Sequence, residues 1–341
     1  MSDLSNKSST DNSLNTDLPA DHLTKPTQNR ALGIDVEWKV LSVMATFVIL
    51  LEIVARQVAP TLDSAAEHIH EFPKLVKEVE TNSKQATTLL VLGNSLMRDG
   101  LDKQSLQSQL TSNIEVTKIT PVGTTVVDWT FFYKRYFENV KTHPDKIIVG
   151  FVRHHIADKA HAYPNRNRRL GRHFLAWEDQ PLAWQTEFPN THDKIQTSLS
   201  HYSAIIGDQP EHSLLLFQAI IPNYSSGLSL NNDWVNTWKK KKRELIEDSD
   251  YKKTLEPTYK RLQRFIDLMK SHDVEVYFVP MPQPTFYELN QKIIDIVRSN
   301  GMNWLDARNL CLDEEYFSDG YHLNKNGQET FTNWLSEQFS K

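Results

Sequence analysis

At 341 residues the chain is long enough for one large or two modest domains with a real core, and its formal net charge of −5 is mild. No global basic excess points to nucleic acid. A single cysteine, Cys311, excludes an internal disulfide framework and any cysteine-based zinc cluster.

Residues 1–35 are rich in Ser, Asn, Asp and Thr and lack an apolar period. They cannot bury enough surface to offset the entropy of ordering, so they predict a disordered tail. Val40 to Val54 is an apolar run, with Trp38 and Lys39 before it and Arg56 and Pro60 after. Alone it falls short of the roughly 20 residues needed to cross a bilayer, but a helix over 36–59 supplies the length. That predicts a single membrane anchor. A secretory signal peptide fits poorly, because the preceding tail is too long and not basic. Lys39 and Arg56 flank opposite ends, so charge alone leaves the orientation open; a signal-anchor with the large domain outside is the reading adopted. Residues 60–87 read as a polar, helical connector. His68 and His70 fall within it at a spacing that does not share a helix face, which favours solvated side chains over a metal site.

From residue 88 the pattern changes to alternating strands and helices. Thr88–Leu92 is a short apolar run that reads as a buried parallel strand, followed by Gly93-Asn94-Ser95 and a helix from about Asp102. Ile114–Ile119 is the next strand and ends at Pro121-Val122-Gly123-Thr124-Thr125. A helix over Trp129–Val140 and a strand over Lys146–Val152 follow. After a long interruption come a helix at Pro257–Ser271, a strand at Val274–Val279, a helix at Pro284–Ser299, a short strand at Asn303–Leu305 and a last helix at Lys325–Phe339. This alternation predicts an α/β fold, a three-layer doubly wound parallel sheet with right-handed crossovers, over residues 88–341.

The interruption, residues 153–255, is a helical insertion at the carboxyl side of a strand. It holds the basic stretch Arg166-Asn-Arg-Arg169, a helical segment near His192–Ile206, the apolar run Leu214–Ile221 and the Trp238–Arg243 run of lysines. Its position predicts a lid or recognition subdomain overhanging the sheet edge. The lysines suit a solvated helix face or, with Trp234 and Trp238, an anionic polymer or lipid headgroup.

Two places carry chemistry. Ser95 sits on a sharp strand-to-helix turn at the carboxyl edge, where open α/β sheets place their ligands. Asp319-Gly-Tyr-His322 stands just ahead of the last helix, at a spacing that lets the carboxylate fold back onto the imidazole. A serine hydroxyl needs such a base, and the base needs such a carboxylate. Each motif has a plainer reading as well: Ser95 as a helix cap, Asp319 or Asn324 as the cap of the last helix. No Gly-x-Gly-x-x-Gly or Gly-Lys-Ser/Thr cradle for phosphate is present, and the histidines lack ligand spacing, so no cofactor and no metal are expected.

Taken together, Gly93-Asn94-Ser95 and Asp319-Gly320-Tyr321-His322 resemble the SGNH (GDSL-type) hydrolase superfamily, in its order and context, over residues 88–152 and 257–339. The resemblance implies a flavodoxin-like sheet, with Ser95 as nucleophile, His322 as base and Asp319 as its orienter. It implies oxyanion donors in the backbone N–H groups of Ser95 and Gly123. One departure stands out: the family's third block carries an asparagine, whereas this chain reads Gly150-Phe-Val-Arg153-His154-His155. Arg153, His154 or His155 is left to donate in its place. The layout of one anchor and an SGNH-like domain is similar to membrane-anchored proteins of D-alanyl transfer and alginate-type O-acetylation. That likeness implies acyl-ester hydrolysis or O-acyl transfer on a cell-envelope glycan or lipid-linked polymer. It further implies an acyl donor, a glycan or polymer acceptor and a membrane-bound acyltransferase as partners, with a bacterial-type, single-pass, extracytoplasmic location. A degenerate domain that binds glycan or a partner protein without catalysis is the competing expectation.

Overall fold

The computed structural model describes residues 30–58, 69–138, 143–158, 166–208 and 258–339. The tail upstream of Arg30, His68, the run Leu214–Ile221, Trp234 and the Trp238–Arg243 lysines lie outside the described residues.

Among the described residues, five strands form one parallel sheet: β1 (Thr87–Leu92), β2 (Ile114–Ile119), β3 (Lys146–Phe151), β4 (Glu275–Pro280) and β5 (Asn303–Trp304), in the order β2-β1-β3-β4-β5. Because side chains alternate along a strand, each central strand feeds two cores. Leu90, Leu92, Ile147, Val149, Val276 and Phe278 face one layer of helices: α2 (Phe72–Asn82), α5 (Val126–Tyr133), α10 (Lys260–Ser271) and α11 (Gln291–Ser299). Leu89, Val91, Ile148 and Val279 face the other: α3 (Ser95–Gly100), α4 (Lys103–Gln109) and α12 (Lys325–Phe339). Helices on both faces make the three-layer, doubly wound architecture. In this strand order the chain leaves β1 and β3 in opposite directions, which opens a crevice at their carboxyl ends.

Several boundaries differ from the sequence reading. α2 is not a solvated connector: Phe72, Val76 and Val79 recur at i, i+4 and i+7 and are buried in the core, so the folded body begins ahead of residue 88. The helix predicted over Trp129–Val140 starts earlier, at Val126, and gives way to a π-helical turn at Lys134–Glu138. Pro284–Asn290 is not helical, and α11 begins at Gln291 with the Asn290 side chain accepting from the Lys292 N–H (3.0 Å).

In the insertion, α6 (Arg166–Arg169) runs into a π-helical turn at Leu170–Phe174. α7 (Gln180–Thr186), α8 (Thr191–Tyr202) and α9 (Ala204–Gly207) follow.

The N-terminal helix α1 spans Arg30–Val58. It begins inside the expected tail, since Ala31 and Leu32 favour a helix and extending an existing helix is far easier than starting one. Its segment Val36–Gln57, 22 residues, is long and apolar enough to cross a membrane. At 1.5 Å per residue that is about 33 Å, against a hydrocarbon core of about 30 Å.

Candidate active site

The site grows out of the turn that ends β1. Asn94, in extended conformation, is the N-cap of α3, its side-chain oxygen accepting from the Leu96 N–H at 3.0 Å. Ser95 is therefore the first helical residue and not the cap. Its hydroxyl points out at the sheet edge. Glycine permits the close approach of α3: a β-carbon on Gly93 in the turn would lie 2.7 Å from Met97 Cγ and one on Gly150 of β3 2.0 Å from it, so α3 crosses β3 only where no side chain intervenes.

At the other end of the chain, Asp319 folds back on the turn ahead of α12. One carboxylate oxygen accepts from the backbone N–H groups of Tyr321 (3.0 Å) and His322 (2.8 Å), and Gly320 takes φ +75° to close the turn. The second oxygen stands 2.9 Å from His322 Nδ1. A carboxylate only accepts, so Nδ1 carries a proton, and in the neutral imidazole the lone pair belongs to Nε2. That Nε2 stands 2.9 Å from Ser95 Oγ. The plainer reading of Asp319 as a helix cap is set aside by Asn324, whose side chain accepts from the N–H groups of Asn326 (3.0 Å) and Gly327 (3.1 Å) at the start of α12. Residues 227 positions apart thus form one hydrogen-bonded line of carboxylate, imidazole and hydroxyl, with His322 and Asp319 partly shielded from water.

Gly123 lies in the loop after β2 with φ +67°, a conformation that glycine adopts without strain. The loop is tied to the Ser95 turn by a buried network that sequence reading missed. Trp129 Nε1 donates to Gly93 O (3.1 Å) and to Thr124 Oγ1 (3.0 Å). Thr124 Oγ1 lies 2.8 Å from Gly93 O and from Pro121 O, and Asn94 Nδ2 reaches Thr124 O at 3.5 Å. Only burial reveals it: at 1% and 0% exposure, the Thr124 hydroxyl and the Trp129 indole N–H must find partners. The insertion grips the same loop. Arg169 Nη1 donates to Val122 O, and Arg166 Nη2 donates to Thr125 Oγ1 (3.2 Å) beside Asp128, which itself accepts from the Thr125 N–H (2.8 Å).

Arg153, His154 and His155 form a 3₁₀ turn straight after β3, all buried. His155 turns inward, its Nδ1 accepting from the Val152 N–H at 3.1 Å. His154 Nε2 lies 3.5 Å from the hydroxyl of Tyr321, the residue before His322. His154 is thus joined to the Asp319–His322 turn.

No family model matches the sequence, and no curated protein matches it. Among solved structures the chain is similar to an acetylxylan esterase from Geobacillus stearothermophilus, with 10% identity over 75% of this chain and 94% of that one and a TM-score of 0.36. It is similar also to a lipase/acylhydrolase from Enterococcus faecalis, with 11% identity over 74% of this chain and 94% of that one and a TM-score of 0.34. A third is an α/β hydrolase from the metagenome of Lake Arreo, Spain, with 11% identity, 74% and 95% coverage and a TM-score of 0.35.

Proposed function

We propose that this protein is a membrane-anchored, SGNH-type serine acyl-ester hydrolase or O-acyltransferase that acts on a cell-envelope glycan or lipid-linked polymer. The observation that carries the reading is the line Asp319–His322–Ser95, closed by contacts of 2.9 Å on both ring nitrogens. In the reaction Ser95 Oγ attacks the acyl carbonyl carbon while His322 Nε2 takes the hydroxyl proton. Asp319 holds the ring in the required tautomer and stabilises the imidazolium that forms. Backbone N–H groups of Ser95 and Gly123 stabilise the oxyanion, each contributing about 3 kcal/mol to lowering the barrier. The imidazolium returns its proton to the departing alkoxide, leaving an acyl-Ser95 ester. Water or a sugar hydroxyl, deprotonated by the same imidazole, then attacks that ester and regenerates Ser95. Transfer in preference to hydrolysis requires that water be kept out, a task we assign to the insertion that is hydrogen-bonded to the Val122–Thr125 loop. Segment Val36–Gln57 serves as the anchor, with the large domain outside the membrane.

The test is labelling of the full-length protein, in lipid nanodiscs, with a fluorophosphonate. Wild type is expected to label, Ser95→Ala to lose the label completely and His322→Ala to react at least about 10³-fold more slowly. Absence of label on folded wild type would sink the reading. The departure at the third block, where Val152 stands in place of an asparagine, favours the alternative of a non-catalytic glycan- or protein-binding domain, and that result would establish it as the better account.

A further inference from the structure

Helix α8 is amphipathic in the inverted sense. Its buried side is made of small polar residues, Thr197 and Ser200, both 0% exposed, which lie against the π-helical turn so closely that a β-carbon on Gly171 would stand 2.3 Å from Thr197 O. Its large apolar residues point out instead. Ile195, Leu199 and Tyr202, at i, i+4 and i+7, are 55%, 50% and 56% exposed, and the half-exposed Trp177 packs on Tyr202 with ring centroids 5.0 Å apart. A helix in water buries the opposite set.

A second, independent observation says what this face meets. The last turns of α1 are bonded to the end of α8 and the start of α9. Glu52 accepts from Ser203 Oγ (2.9 Å) and from the N–H groups of Ala204 (2.7 Å) and Ile205 (3.3 Å), while Arg56 donates to Glu52 (2.8 Å) and to Tyr202 O (2.5 Å). Glu52 lies within the apolar segment Val36–Gln57, five residues before its end. At 1.5 Å per residue the carboxylate is therefore about 7 Å inside the end of that segment. A carboxylate at such depth must be fully paired, and its partners Ser203–Ile205 must share its level.

We propose that Trp177 and the Ile195–Leu199–Tyr202 face of α8 are a second membrane contact, immersed in the boundary between lipid headgroups and acyl chains on the side where α1 leaves the bilayer. Trp and Tyr beside aliphatic residues are the set that this boundary favours. The contact also bears on the site. The turn that packs α8 follows directly on Arg169, which holds the Val122 carbonyl next to Gly123, so the bilayer surface and the Gly123 loop are braced by one insertion. The proposal rests on α1 being the membrane span.

The experiment uses the full chain with Cys311→Ser, a single added cysteine bearing an environment-sensitive fluorophore, and nanodiscs of phosphatidylcholine and phosphatidylglycerol containing nitroxide-labelled lipids. Labels are placed at Ile195→Cys, Leu199→Cys, Met44→Cys within α1, and Lys292→Cys on the exposed side of α11. A nitroxide near the headgroup is expected to quench Ile195→Cys and Leu199→Cys about twofold or more, consistent with an apolar face immersed about 5–10 Å, and to leave Lys292→Cys unchanged, while a nitroxide deep on the acyl chain is expected to quench Met44→Cys within the span. Two positions on the face guard against one variant misfolding. If Met44→Cys is quenched and the α8 positions are not, the proposal fails and the anchor stands. Blue-shifted but unquenched emission at α8 would assign the cover to protein, either residues 209–257 or a second copy. If Met44→Cys also escapes quenching, the anchor reading fails and takes the proposal with it.

Discussion

At the scale of single residues, the site depends on a division of labour between two neighbouring side chains. Asn324 caps α12, which leaves both oxygens of Asp319 for the turn and for His322. Asp319→Asn is the sharpest probe of this arrangement. An amide can accept from the same backbone N–H groups and preserve the turn, yet it can also donate to Nδ1 and so turn the basic lone pair of His322 away from Ser95. The expected result is a fall in kcat on an aryl acetate of about 10⁴-fold with little change in KM. A drop of less than about tenfold would mean that Asp319 supports the turn alone. Both motifs were legible because their chemistry is local: Gly93-Asn94-Ser95 is one turn, and Asp319 and His322 are three apart. What the residues left open was which side chain stands where an asparagine was expected. The candidates, Arg153, His154 and His155, are adjacent in sequence and separated only by which way each side chain turns.

At the scale of elements, the β1–α3 turn and the loop after β2 act as one unit because Trp129 of α5 bonds to both. Trp129→Phe keeps the ring's volume near the original and removes the N–H, leaving Gly93 O and Thr124 Oγ1 short of a buried donor. That is expected to cost about 1–3 kcal/mol of stability. Since Gly123 is carried on the same loop, kcat should fall about tenfold while Ser95 and His322 remain in contact. Unfolding curves and acetate-release kinetics on the same preparation check both, and an unchanged kcat would show that the loop holds its place without the indole. The elements themselves were mostly readable from apolar periodicity. β2 and α12 match their predicted bounds, while α5 and α11 do not. Helix ends were misplaced where capping chemistry outweighed pattern, as at Asn290 and at Asp128, which accepts from the Thr125 N–H. α2 was misread because its polar face dominates the composition while only Phe72, Val76 and Val79 carry the packing.

At the scale of the whole molecule, the insertion carries a buried, neutral imidazole whose protonation on acidification should weaken the fold. Burial pushes the His173 imidazole down to about 4, against a hydrogen bond to Asp208 that pulls the other way. Burial raises the Asp208 carboxyl, but the hydrogen bond from His173 and the nearby Arg172 guanidinium outweigh it and hold it below its ordinary value. The unfolded imidazole titrates near 6.5, so between about 6.5 and 4 the unfolded chain binds the extra proton. The stabilisation is complete above that window and is lost as pH falls through it, by up to about 3 kcal/mol. The thermal midpoint should drop from pH 7 to pH 4.5, and less so in His173→Gln. The slope will not vanish in the variant, because burial depresses His143 and His201 in the same sense. Equal slopes in variant and wild type would place the acid sensitivity elsewhere.

By itself the sequence determined the α/β class, the apolar span and the two motifs, since each is written in residues near one another and answers to local rules of periodicity and turn chemistry. Only the tertiary structure decided that Ser95 Oγ and His322 Nε2 stand 2.9 Å apart, that Trp129 locks two loops into one wall, and that α8 turns its apolar side outward. Those facts depend on strand order and on helix packing across long chain separations. Strand order is settled by the burial of both sheet faces together, which no stretch of the chain specifies alone.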